Sequence, residues 1–259
     1  MLGIDAAWTL AQPSGVALAV RDGGRWTLRA VAPSYAHFLD LARGVVREAP
    51  PAGSAPDAAA LLAAAEQLAG APVDLVAIDM PLATLPITAR RESDNAITRA
   101  FGGRWCGTHS PSAERPGAIS DRLRAGFEAA GYPLRTQDAQ GGGLIEVYPH
   151  PALVVLAGAA RRLPYKAGKT RSYWPGESLA ARRVLLAAEW TQIAALLVTR
   201  IDGVAEVLPS LPEGATGLAR KAQEDMLDAI VCAWVGTCAL DGTAEAYGDT
   251  DSAIWVPRG

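Results

Sequence analysis

Val73-Asp74-Leu75-Val76-Ala77-Ile78-Asp79-Met80-Pro81, residues 73–81, is the stretch whose reading decides the fold. It is nearly all apolar, the pattern of a central strand covered on both faces. Pro81 stops it, because proline cannot donate to a sheet ladder. The chain opens in the same way, with Leu2-Gly3-Ile4-Asp5. Both runs carry an aspartate at the end, Asp5 and Asp79. Burying an unpaired carboxylate is costly, so such an acid is expected to meet a metal ion or another cation.

Working outward, residues 2–8 read as a strand, Gly15 to Val20 as a second and Arg25 to Val31 as a third. Asp22-Gly23-Gly24 is a hairpin turn signal, so the chain begins with an antiparallel three-strand meander. Ala55 to Ala69 reads as a helix capped by Ser54. Beyond strand 73–80, Arg90 to Phe101 and Arg115 to Ala130 read as helices joined by the Gly/Ser/Pro-rich piece Gly102 to Ser112. Leu144 to Tyr148 is a strand ended by Pro149-His150-Pro151. Leu153 to Ala160, Gly176 to Val198 and Gly217 to Leu240 read as helices, the last capped by Thr216. This order predicts one α/β domain over 1–259: a mixed sheet, the meander plus parallel strands, flanked by helices, with a helical insertion at about 82–142.

The chain has 259 residues, half of them hydrophobic, enough for a full core without staples. A net charge of −3 gives no global pull toward nucleic acid, so such binding requires a local basic patch. Cys106, Cys232 and Cys238 lack metal-ligand spacing and read as free thiols of a reducing, cytoplasmic compartment. The N-terminus has no basic region and enters the first strand at once, unlike a secretory signal. Val184 to Val198 is interrupted by Glu189, Thr191 and Gln192, so no membrane span is expected.

Asp225 and Asp228 stand three apart and are neighbours on a helix surface. The apolar stripe Leu227, Ile230, Val231, Trp234, Val235 and Cys238 should face the core, leaving the two acids at an edge overlooking a cleft. Acids gathered from two strand ends and one helix suit a divalent-metal site. Two Mg²⁺ or Mn²⁺ ions about 4 Å apart can activate water and stabilise a leaving oxygen in phosphodiester hydrolysis. Two basic stretches accompany them. Arg90, Arg91, Arg99, Arg104 and Arg115, with Asp94 and Asn95, lie near Trp105 and His109; they read as a phosphate grip or a salt-bridged helix face. Arg161, Arg162, Lys166, Lys169 and Arg171 are interleaved with Tyr165, Tyr173 and Trp174, and read as the better nucleic-acid surface. His150 is a candidate proton shuttle or a turn residue.

Gly3-Ile4-Asp5 with Ser14-Gly15-Val16-Ala17, Ile78-Asp79-Met80-Pro81-Leu82, Glu146-Val147-Tyr148-Pro149, Tyr165-Lys166 and Glu224-Asp225-Met226-Leu227-Asp228-Ala229 recur in this order. The series resembles a family of unknown function (domain of unknown function 429) described as predicted nucleases with a ribonuclease H-like fold. The closing Asp225-x-x-Asp228 is similar to the end of the Holliday-junction resolvase active site, where Asp5 matches the first-strand aspartate. Asp79 stands where that enzyme commonly has glutamate. The resemblance implies a metal-dependent nuclease or phosphodiesterase acting on DNA or RNA, with Asp5, Asp79, Asp225 and Asp228 as metal ligands. Glu146 joins them as a catalytic candidate that supports or substitutes for a ligand. Lys166, Lys169, Arg171 and Arg99 are the candidate substrate contacts. Two other classes stay open: a nucleotide-binding ATPase- or kinase-like half-fold, and a catalytically silent nucleic-acid-binding module.

Overall fold

The computed structural model describes residues 1–212 and 214–259, whose strands form one seven-stranded mixed sheet. Strands β1 (Leu2–Asp5), β2 (Gly15–Asp22) and β3 (Arg25–Ala32) are the meander; helices α1 (Tyr35–Ala42) and α2 (Ala58–Ala69) follow, then β4 (Leu75–Ile78). Between β4 and β5 (Gly143–Val147) come α3 (Glu92–Phe101) and α4 (Ala118–Ala129). After β5 run α5 (Pro149–Leu156), the short α6 (Thr170–Tyr173), α7 (Leu179–Val198), the short α8 (Val204–Val207) and α9 (Gly217–Leu240). The chain closes with β6 (Ala244–Gly248) and β7 (Ala253–Pro257). The strand order is β3-β2-β1-β4-β5-β7-β6. β1, β4, β5 and β7 run parallel, and β2, β3 and β6 pair antiparallel.

Side chains alternate across each strand, so residue parity sorts the core into two layers. Ala17, Ala19, Leu75, Ala77, Ile145 and Val147 pack with α7 and α9 on one face. Leu2, Ile4, Val16, Leu18, Val76 and Ile78 pack with α1, α2 and α4 on the other. By the same parity Asp5 and Asp79 leave their strand ends on the α9 face. α9 is buried on every side from Ala222 to Thr237, as expected of a helix lodged between a sheet and an outer helix layer. The expected stripe Leu227, Ile230, Val231, Trp234 and Val235 is buried, but the edge is corrected: Asp225 borders the cleft while nearly fully buried, and Asp228 is sealed.

The seat of α9 depends on two glycines. A Cβ on Gly3 would stand 2.3 Å from the Ala229 carbonyl oxygen and 2.4 Å from the Ala233 nitrogen. One on Gly15 would stand 2.1 Å from the Asp225 carbonyl oxygen. These are backbone atoms of α9, so only glycine lets the helix lie this close to β1 and β2.

Several boundaries differ from the sequence expectation. β1 stops at Asp5 instead of residue 8, and the Ala7 N–H turns to the Ser14 hydroxyl at 3.0 Å. Helix α2 is capped by Asp57, not Ser54, because Pro56 holds residue 55 out of the helical region. Pro149 and Pro151 follow the end of β5 as expected but also open α5, which begins at Pro149 instead of Leu153 because a missing N–H costs nothing in the first turn. α1 was not expected; Ser34 caps it, and Tyr35, Phe38 and Ala42 give it a short buried face. The C-terminal pair β6 and β7 was also not expected, and β7 extends the parallel region beside β5.

Gly3→Ala should destabilise the protein by about 3 kcal/mol or more, because the intruding methyl meets helix backbone that cannot step aside. Denaturant unfolding measures this. A loss under about 1 kcal/mol would contradict the close seat of α9.

Candidate active site

Ile4 pairs with Ile78, and the Asp79 N–H donates to the Ile4 carbonyl at 2.8 Å. Asp5 and Asp79 are thus next in register at the carboxyl ends of adjacent parallel strands. The approach of α9 at Gly15 brings Asp225 to them, and Asp228 follows one turn along. Asp5 and Asp225 are close enough to share a proton. Asp5, Asp79 and Asp225 line a cleft of about 600 Å³. One wall is the loop after β1, with Trp8 and Gln12; the other is the segment before α4, with His109, Ser110, Ser112 and Arg115. The Arg115 guanidinium lies 5.7 Å from the Trp8 ring centroid, within cation–π reach.

Two lysines set the charge balance. Lys221 pairs with Asp225 Oδ1, while Asp225 Oδ2 is buried with no hydrogen-bond partner among the described residues. Lys166 pairs with Asp228 Oδ2, and the Tyr165 hydroxyl donates to Oδ1 at 2.7 Å. Glu224 lies 3.5 Å from Lys166 and 3.4 Å from Lys221, and accepts the Ala167 N–H at 2.5 Å. Among the described residues no basic or hydroxyl side chain donates to the carboxylates of Asp5 or Asp79; the side-chain partner of Asp5 is Asp225. Burial pushes Asp5 well above the usual carboxylate range, and Asp225 and Asp228 add to the effect. Burial lifts Asp79 to about 7, against the pull of Lys166. Burial also raises Asp225, opposed by Lys221. Burial disfavours the charge on Lys166, but Asp228 and its neighbours outweigh it and hold the ammonium protonated.

The donor set suits a hard divalent cation: oxygen ligands, two of them without a basic donor, plus one orphaned buried carboxylate oxygen. Asp5, Asp79 and Asp225 are the residues that would hold it. Among the described residues no three His, Cys, Asp or Glu side chains already stand in ligating geometry. Full ligation by Asp225 therefore requires Lys221, whose side chain is 47% exposed, to swing away.

The other expected site residues fall in different places. Asp228 is wholly buried and committed to Lys166 and Tyr165, so it supports the cluster from behind and does not line the cleft. Glu146 leaves β5 with the opposite parity. It binds the Arg91 guanidinium through both oxygens, at 2.5 and 2.8 Å, and accepts the Leu82 N–H at 2.7 Å. Asp94 grips the same arginine at 2.9 Å, so Glu146 anchors the insertion to the sheet. Lys166, expected to face substrate, is turned inward onto Asp228. Lys169 and Arg171 are exposed and do not line the cleft. Arg99 pairs with Glu92 on the open face of α3, the salt-bridged helix face weighed for it. Lys221 was missed, although its spacing four before Asp225 was a readable helical-pair signal. The Trp8–Arg115 wall had no such signal, since its two halves are far apart in sequence.

The family described as "Protein of unknown function (DUF429)" matches residues 3–252. The chain belongs to that family. No curated protein and no solved structure matches the chain. Among the described residues no helix is long and apolar enough to cross a membrane.

Unfolded Asp79 titrates near 3.8 and folded Asp79 near 7, so between these values the folded chain keeps a proton that the unfolded chain has released. Metal-free stability should therefore fall as pH rises from about 5 to 7. Melting temperatures in EDTA should show this decline, and Asp5→Asn should shrink it by removing a second carboxyl that burial holds above its usual range. Asp228→Asn should behave oppositely, losing about 3 kcal/mol by leaving Lys166 underpaired in the interior. Equal and neutral effects of the two substitutions would contradict the division between cleft and supporting acids.

Proposed function

We propose that this protein is a divalent-metal-dependent phosphodiesterase acting on nucleic acid. The observation that carries the reading is the pair Asp5 and Asp79, to which no basic side chain among the described residues donates, at the ends of adjacent parallel strands and open to a cleft. The meander followed by parallel strands, with β1 beside β4, is also the arrangement of the ribonuclease H-like fold, which commonly serves such chemistry; fold likeness alone would not carry the assignment.

In this reading Asp5 and Asp79 would hold Mg²⁺ or Mn²⁺, joined by Asp225 once Lys221 releases it. When bound, the metal supplies Lewis acidity and an activated water. The chain supplies the rest. Asp228, held by Lys166 and by the Tyr165 hydroxyl, fixes α9 and its acids against the strand ends. Arg115, stacked near Trp8, is placed to hold a phosphate oxygen across the cleft from the acids, and the indole offers a face for a base. His109 and Ser110 complete the wall and orient the substrate's polar groups. The free thiols Cys106, Cys232 and Cys238 support a cytoplasmic location.

One observation favours a second reading, a catalytically silent nucleic-acid-binding module. Lys221 and Lys166 already neutralise two of the acids, as a metal would.

Titration calorimetry with Mn²⁺ and a cleavage assay on short DNA and RNA separate the two. The enzyme reading expects Mn²⁺ binding and metal-dependent cleavage, both lost in Asp5→Asn and Asp79→Asn. Lys221→Ala should tighten Mn²⁺ binding about tenfold by removing a competing cation. Absence of Mn²⁺ binding in both the wild type and Lys221→Ala would leave the silent module standing.

A further inference from the structure

Trp105 is 63% exposed and has φ 63°, the left-handed region. A bulky residue rarely adopts that conformation, which costs about 1–2 kcal/mol. It follows Gly102-Gly103-Arg104, and its N–H closes a tight turn on the Gly102 carbonyl at 2.9 Å. The turn therefore holds a large aromatic ring out in solvent against its own backbone preference, with no core contact in return. Backbone outliers of this kind point to a functional constraint.

What surrounds the ring gives the constraint its chemistry. The Arg161 guanidinium lies 4.6 Å from the Trp105 ring centroid. The Arg162 N–H donates to the Arg104 carbonyl at 2.8 Å, and Arg104 reaches back to the Ala159 carbonyl at 2.6 Å. The two basic stretches, separate in sequence, are thus stitched into one surface. Among the described residues none of Arg104, Arg161 and Arg162 pairs with a carboxylate, whereas Arg91 and Arg99 do. Among the described residues Arg162 Nε is buried with no hydrogen-bond partner. The surface joins the cleft rim: the Tyr148 hydroxyl donates to the Gly107 carbonyl at 3.3 Å, and the chain runs on through Thr108 to His109 in the cleft wall.

We infer that Arg104, Trp105, Arg161 and Arg162 form a landing surface for single-stranded nucleic acid, one base stacking on the Trp105–Arg161 platform and the phosphates following the arginines toward the cleft. Unpaired guanidiniums beside a projecting aromatic are what a single strand requires: charge for the backbone and a π-face for an unstacked base. A duplex keeps its bases stacked on one another and cannot use the platform. The acids and the cleft explain cleavage but not how a polyanion approaches a negatively charged centre; this surface does. It deepens the phosphodiesterase reading and rests on it only for where the strand leads.

The test is binding in EDTA, so that no metal chemistry enters. Fluorescence anisotropy with a single-stranded 12-mer, as DNA and as RNA, is measured across a salt series beside the matching duplex. Wild type should bind the single strand more tightly than the duplex. Trp105→Ala should weaken binding about tenfold, and Trp105→Phe, which keeps a ring, should recover most of it. Arg161→Ala should reduce the log–log salt slope by about 0.7, and Arg161→Lys should restore the slope without full affinity, since an ammonium does not stack. Unchanged melting temperatures exclude misfolding. Full-strength binding by both alanine variants, equal duplex affinity, or no binding by wild type at low salt would each overturn the inference. Mn²⁺-dependent hydrolysis of bis(p-nitrophenyl) phosphate by the wild type reports separately on the acids. Its absence in wild type would sink the phosphodiesterase reading while leaving the binding surface intact.

Discussion

The close seat of α9 on β1 and β2 is the constraint on which the rest depends. Gly3 and Gly15 remove the side chains that would hold the helix off, and Asp225 arrives beside Asp5 as a direct result. A helix that rode higher would still bury its apolar residues, but its acids would miss the strand ends. The same contact explains why so polar a segment as Gln223-Glu224-Asp225 is buried at all. Its charges are answered by Lys166 and Lys221, both drawn in from outside the sheet.

That answer is incomplete. Five carboxylates, Asp5, Asp79, Glu224, Asp225 and Asp228, face two ammoniums, and the excess negative charge must be protonated or met by a bound cation. Burial raises Asp5 and Asp79, and the neighbouring acids add to it. The division of labour follows from parity and depth. Asp5 and Asp79 are at strand ends on the open side, Asp228 is sealed beneath them, and Glu146, one parity step away, is spent on Arg91.

Much of this was legible in the sequence. The apolar runs ending in Asp5 and Asp79, the Asp22-Gly23-Gly24 turn and the long apolar α9 were enough to give the meander, the central strands and the placing of Asp5, Asp79 and Asp225 at one cleft, though not the sealing of Asp228 behind it. What escaped depended on contacts between distant segments. Nothing local marks Asp228 as sealed by Tyr165, or Lys166 as an internal counter-ion instead of a surface cation. The C-terminal pair β6 and β7 is short and gains its place from pairing with β5, which no periodicity reveals. Pro149 and Pro151 read equally as a stop or as a helix start, and only packing of the following apolar turn decides.

The most direct measurement is anomalous diffraction from a crystal soaked in Mn²⁺. A peak about 2.1 Å from carboxylate oxygens of both Asp5 and Asp79, with Lys221 withdrawn from Asp225, is the predicted result. No peak at those two residues, with Lys221 still on Asp225 at saturating Mn²⁺, would contradict the claim that this cleft is a metal site.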